Sequence, residues 1–183
     1  MKTIKYWTIK IFFLTLIISA GVSVAAEYFI SKLSLIAAIG VLAALIIIGI
    51  LFDTVGVAFA SCDQKPFMAM SAKKDKKAYF ALKLLKNADI VSNFCNDVIG
   101  DICGIVSGAA GAAITLKAIA LNASIPELIV SIAVSALIAA STVAGKSWGK
   151  RLALKKSKEI VLSVGNIVYF FNKDKAPNKK NEK

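Results

Sequence analysis

The chain has 183 residues, a formal charge of +12 and 57% hydrophobic residues, with a mean hydropathy of +0.71. Soluble domains hold about 45–50% apolar residues, and the excess here lies in long runs, which excludes a soluble domain with a large core and marks an integral membrane protein. The cations form blocks beside the apolar runs, so they orient the chain in a bilayer rather than bind nucleic acid. The lack of histidine removes the commonest metal ligand and the usual general base.

Four segments are expected to span. The first, Ile11 to Ile30, follows Lys2, Lys5 and Lys10. A basic start, an apolar run and SVAAEYF, with small residues near Ala26, also describe a signal peptide. The run exceeds an h-region of about 7–15 residues, so an uncleaved helix is the reading. The second span, Leu35 to Ala60, is centred on IAAIGVLAALIIIGILF and carries Asp53 towards one end, with Gly49 and Gly56 on the same side.

A basic middle loop follows. Pro66 suits the start of a short helix, FMAMSA. KKDKKAYFALKLLKN then sets Ala78, Ala81, Leu82 and Leu85 at helical spacing between lysines, an amphipathic helix suited to a surface of anionic lipid. Asn87 suits its stop, and Asp89 suits the cap of the helix after it.

The third span runs from about Asn93 to Ala120. On a helical wheel Asn93, Asn96, Asp97, Gly100, Asp101, Gly104, Ser107, Gly108 and Gly111 share an arc of roughly 140°. An ionised carboxylate at mid-membrane costs about 2.5–3.5 kcal/mol even on the lenient insertion scale, so this face must meet protein, water or a cation. The fourth span, about Glu127 to Ala144, has a milder stripe of Ser131, Ser135, Thr142 and Gly145. Beyond it LALKKSKEIVLSVGNIVYFF presents Ile160, Val161, Val164, Ile167, Val168 and Phe171 on one face, and the polar tail is expected to be disordered.

Lysine and arginine crowd the leader, the middle loop and the region after the fourth span, whereas the other side has only Lys32 and Lys117. Both termini and the middle loop are therefore expected in the cytoplasm of a multi-pass cell-membrane protein, with Asn122 to Pro126 outside. Cys62, Cys95 and Cys103 fit no zinc motif, and an odd count closes no disulfide set, so they read as packing residues.

Three helices thus offer oxygen ligands without histidine or an accessible thiol, a set that suits a hard cation such as magnesium or calcium. Plainer roles stand beside this one. Gly100, Gly104 and Gly108 form a small-residue run that packs helices. Asp97 and Asp101 have Lys83 and Lys86 as prospective partners, and Asp53 has a break in its helix to cap.

The order of elements, and above all AKKDKKAYFALKLLKN and GKRLALKKSKEIV, resembles the membrane domain of the cyclin M and CorB/CorC magnesium and cobalt transporters over about Leu35 to Phe171. The resemblance implies a membrane domain of three spanning helices with amphipathic juxtamembrane helices at the cytoplasmic surface; with the first apolar segment, the chain is expected to be an all-α membrane protein of about four transmembrane helices. This divides the chain into an N-terminal transmembrane helix or signal-anchor (1–34), the transporter-type domain (35–172) and a basic tail (173–183). The resemblance implies a homodimer in the lipid bilayer, a cytoplasm-facing cavity and bound or transported Mg2+; the residues themselves offer no nucleophile and base pair, so no enzymatic activity is expected, and no nucleic-acid partner.

By position, Asp53 stands where the family has a serine-rich run, and Asn93, Asn96 and Asp97 fall among its polar second-helix residues. Gly145 matches a glycine whose carbonyl faces the ion. With Asp101, added from the polar face of the third span, they make up the expected metal set. The chain departs from the pattern where a Glu-x-x-Pro-Lys run follows that glycine: KSWGK stands there, with Lys146 for the acid and Gly149 for the proline. Gly56 lies near the place of a glutamate that often follows the serine run. The nucleotide-sensing paired domains do not follow before Lys183, so ATP regulation through this chain is not expected and a separate regulatory partner is open. The alternative is a non-transporting membrane subunit or regulator assembled through the glycine-rich third helix.

Overall fold

The computed structural model describes residues 2–121 and 126–172, and these are almost wholly helical. The Asn122–Pro126 loop, apart from Pro126, and the basic tail lie outside the described residues. Helix α1 is Lys2–Lys32 and α2 is Leu35–Ser61, entered through Ser34, whose Oγ accepts from the Ala37 amide at 3.4 Å. Helix α3, Lys65–Ala72, has Pro66 in its first turn, where a missing N–H costs nothing. Lys74 takes a positive φ of 63° and turns the chain into α4, Lys76–Leu85. Asp75 caps α4, accepting from the amides of Lys77 at 2.9 Å and Ala78 at 3.3 Å.

One continuous rod, Ala88–Leu121, comes next. It comprises α5 (Ala88–Asn93), a π-helical segment (Phe94–Gly100) and α6 (Asp101–Leu121). Asn87, not the expected Asp89, occupies the cap position of α5, and Asp89 lies in its first turn, where a negative charge suits the helix dipole. Helix α7, Glu127–Lys155, runs well past the expected end at Ala144, and a break at Lys156 leads into α8, Ser157–Phe171.

Among the described residues three helices are long and apolar enough to cross a membrane: α2, the Ala88–Leu121 rod and α7. The fourth expected span falls in α1. There the described apolar stretch is Phe12–Ala25, within the longer helix Lys2–Lys32.

The rod is the centre of the bundle, packed by α1, α2 and α7. Gly49 and Gly56 of α2 meet Cys103 and Asn96, so α2 and the rod are antiparallel, while Gly145 and Gly149 of α7 meet Ile50 and Thr54, so α2 and α7 are parallel. Small residues set these approaches, since a glycine lets the neighbouring side chain reach the backbone. At one end Ile30, Ala38, Leu42, Ala110 and Ile114 form a core. There Lys117 Nζ donates to the Leu33 carbonyl at 2.7 Å, satisfying an acceptor left free where α1 ends. At the lysine-rich end Ala58, Phe59, Phe67, Ala81, Leu85, Ala153 and Val161 form a second core that fastens α3, α4 and α8 to the ends of α2 and α7. Each large side chain buried there contributes about 1.5–3 kcal/mol.

Candidate polar site between three helices

Asp53 lies in the buried face of α2, roughly 12 Å along the axis from Ser61 at 1.5 Å per residue. The residue is 5% exposed. Lys146 of α7 brings Nζ to 3.5 Å from Asp53 Oδ1, with a quarter of its own side chain exposed. Asp53 Oδ2 is buried without a hydrogen-bond partner. A carboxylate in such surroundings is a costly feature that one lysine only half offsets, because the second oxygen keeps its desolvation penalty.

The rod supplies the third wall. A Cβ at Gly100 would lie 3.7 Å from Lys146 Nζ, so the absence of a side chain leaves the ammonium room to reach Asp53. One turn further along α2, the Asn96 side chain fills the space over Gly56. Its Nδ2 donates to Ser92 Oγ at 3.4 Å, and its Oδ1 is buried without a partner. One turn the other way, a Cβ at Gly49 would be 3.0 Å from Cys103 Cβ. Gly49, Asp53 and Gly56 thus form a ladder against Cys103, Gly100 and Asn96, with Lys146 entering at the middle rung. On the other flank, Thr54 Oγ1 donates to the Ile50 carbonyl at 2.7 Å and occupies the space beside Gly149.

The polar stripe of the rod is split along its length. Gly100, Ser107 and Gly111 are buried and Asn96 is half-buried, whereas Asn93, Asp97, Asp101, Gly104 and Gly108 are exposed. The wheel gives Asn93 the angle of Gly111, yet the two lie on different sides. The π segment between them inserts an extra residue per turn and re-aims what precedes it. Among the described residues a Cβ at Gly104 or Gly108 would meet nothing within 4 Å, so neither glycine packs against them.

Of the six residues read as metal ligands, the fold therefore brings Asp53 and Asn96 to the α2–rod interface and leaves Asn93, Asp97 and Asp101 on the exposed side. Gly145 lies inside α7, packed on Ile50, where backbone carbonyls serve the helix ladder. Among the described residues no three or more His, Cys, Asp or Glu side chains are gathered together.

The sequence marks Lys146 as an orienting lysine and as the replacement of the family's acid, but not as the partner of Asp53. The signal was available in AGKSWGK: glycines on both sides of Lys146 at helical spacing mark a face of α7 closely apposed to another helix. Comparison with known proteins gives no match to a family model, to a curated protein or to a solved structure.

Proposed function

We propose that the chain is a multi-pass membrane protein that binds a divalent cation, magnesium foremost, in its polar interior and moves it across the bilayer, in the manner of the CorB/CorC-type membrane domain. The observation that carries the reading is the buried Asp53 carboxylate with one oxygen unsatisfied and a single flexible lysine at the other. In this reading α1 completes four spans, both termini are cytoplasmic and no reaction is catalysed. Lys146 holds the cation's place when the site is empty. An incoming ion displaces its ammonium and gains Asp53, with Asn96 Oδ1 as a neutral oxygen at the next rung. Magnesium dehydrates reluctantly, so it keeps several waters and needs few protein ligands.

The resemblance supports the same site. Where its pattern has serine and then acid, this chain has Asp53 and Lys146. The two departures carry opposite charges, and they meet at 3.5 Å.

Uptake by liposomes holding a magnesium-sensitive dye tests the proposal. Wild-type protein should admit magnesium and Asp53→Asn should not. Equal dye responses in protein-containing and empty liposomes would overturn transport.

A second reading, a non-transporting subunit or regulator, is favoured by the exposed Asp97–Asp101–Gly104–Gly108 side. Two carboxylates on a lipid-facing surface are costly, and a second copy or another membrane helix would cover them. In that reading Asp53 and Lys146 only hold α2 to α7, and magnesium changes nothing.

A further inference from the structure

A groove of about 570 Å³ opens where α4, the start of α5 and the end of α8 meet. Phe80, Leu84, Ile90, Val91 and Val168 give it an apolar floor, and Lys83, Asn87 and Asn172 give it a polar rim. Among the described residues no carboxylate lines it. Lys83 takes part in neither ion pair found among the described residues, Lys146–Asp53 and Lys156–Glu159. The Asn172 amide donates to the Val168 carbonyl at 3.2 Å, which leaves its own oxygen available.

The surroundings of the groove are as telling as its lining. Ile90 is 52% exposed, and Ile167, Phe170 and Phe171 stand out from the end of α8. The groove thus lies at the seam between the lysine-bearing helices and an apolar surface that water would not tolerate. A neutral lipid would leave Lys83 unanswered, and a soluble anion would leave the apolar floor bare. Only an amphiphile with a negative head satisfies both.

We propose that this groove is a binding site for one anionic glycerophospholipid per chain, its phosphate at Lys83 and Asn87 and an acyl chain along Ile90, Val91 and Val168. The site rests on the chain being embedded in a membrane and is independent of the cation reading. A lipid bound there would tie α8 to α5 and so brace the second core.

The test uses the purified full chain in neutral detergent. Its melting temperature and its bound lipid, by native mass spectrometry, are followed with phosphatidylglycerol, phosphatidylcholine or inorganic phosphate. Phosphatidylglycerol should raise the melting temperature and appear as one bound molecule. Phosphatidylcholine and phosphate should do neither. Lys83→Gln should weaken phosphatidylglycerol binding about five-fold, the effect of one surface lysine against anionic lipid. Ile90→Trp, which fills the groove, should abolish the single bound lipid while leaving the lipid-free melting temperature in place. Lys74→Gln, away from the groove, should change nothing. Equal losses in Lys83→Gln and Lys74→Gln would mean a diffuse basic belt and overturn the site. An equal shift from inorganic phosphate, or from phosphatidylcholine, would overturn it too. Membrane residence is read separately, from retention of the chain in the pellet after alkaline extraction.

Discussion

The carboxamide of Asn96 lies in the space that a side chain at position 56 would occupy. Asparagine and glycine are therefore one unit of packing: the rod can bring a polar side chain onto α2 only because α2 has nothing there. Gly56→Ala should cost about 1–3 kcal/mol, the usual penalty of overpacking a close contact. Asn96→Ala in the same chain should recover most of it. Melting curves of the single and double variants give the coupling, and additive losses would mean that the two positions do not share the space.

Charge at Asp53 and Lys146 should be coupled in the same way. Lys146→Met leaves a buried carboxylate without a counter-charge, a loss of about 3–5 kcal/mol when a buried pair is broken from one side. Asp53→Asn with Lys146→Met should return stability towards the wild-type value. If Lys146 stands in for a cation, Lys146→Met should also bind magnesium more tightly than wild type, and magnesium at a hundredfold excess over the variant's dissociation constant should stabilise it by about 2.7 kcal/mol. Magnesium without effect on the melting temperature of either wild type or Lys146→Met would remove the cation site and leave a structural ion pair.

The exposed half of the rod predicts assembly. Gly104→Leu adds bulk where the single chain has open space, so it should leave the fold of the chain intact and disrupt a dimer or partner contact. Size-exclusion with light scattering reads the change directly. A wild-type monomer in mild detergent that extracts no partner would remove this interface.

Cys62 offers a readout at the lysine-rich end. It follows α2, and burial pushes its thiol up, aided by Asp63, while a hydrogen bond with Ser157 and the charge of Lys158 pull it down. The thiolate is the reacting form, so alkylation by maleimide should be slower than that of a free thiol at neutral pH and accelerate as pH rises. Ser157→Ala removes a contact that favours the thiolate and should slow the reaction further. An impermeant maleimide added to intact cells should miss Cys62, and labelling from outside would reverse the orientation.

Periodicity and composition sufficed for the elements. The runs at Leu35 to Ala60 and Glu127 to Ala144, the lysine-laced helix at Ala78 to Leu85 and the apolar face of Ile160 to Phe171 are local patterns, and each helix forms where its pattern lies. Helix ends were less legible. Nothing in KSWGKRLALK breaks a helix, so α7 continues to Lys155 although its apolar run ends earlier.

Tertiary structure decided which polar residues meet. A wheel groups Asp97 and Asp101 with Gly100 and Ser107, but the closeness of α2 and α7 covers only half of that arc. The π segment rotates Asn93 away from Gly111, a change of pitch that no residue type announces. Asp53 looked set to join carboxylates of the rod, yet it meets Lys146, since parallel packing of α2 and α7 through Gly145 and Gly149 brings that lysine to its level. The sequence by itself determined the helices and the sites of charge along them, because propensity and hydropathy act over neighbours in the chain. Only the packing of three glycine-lined helices decided which charges face one another, because that depends on axial register and rotation between segments far apart in the chain.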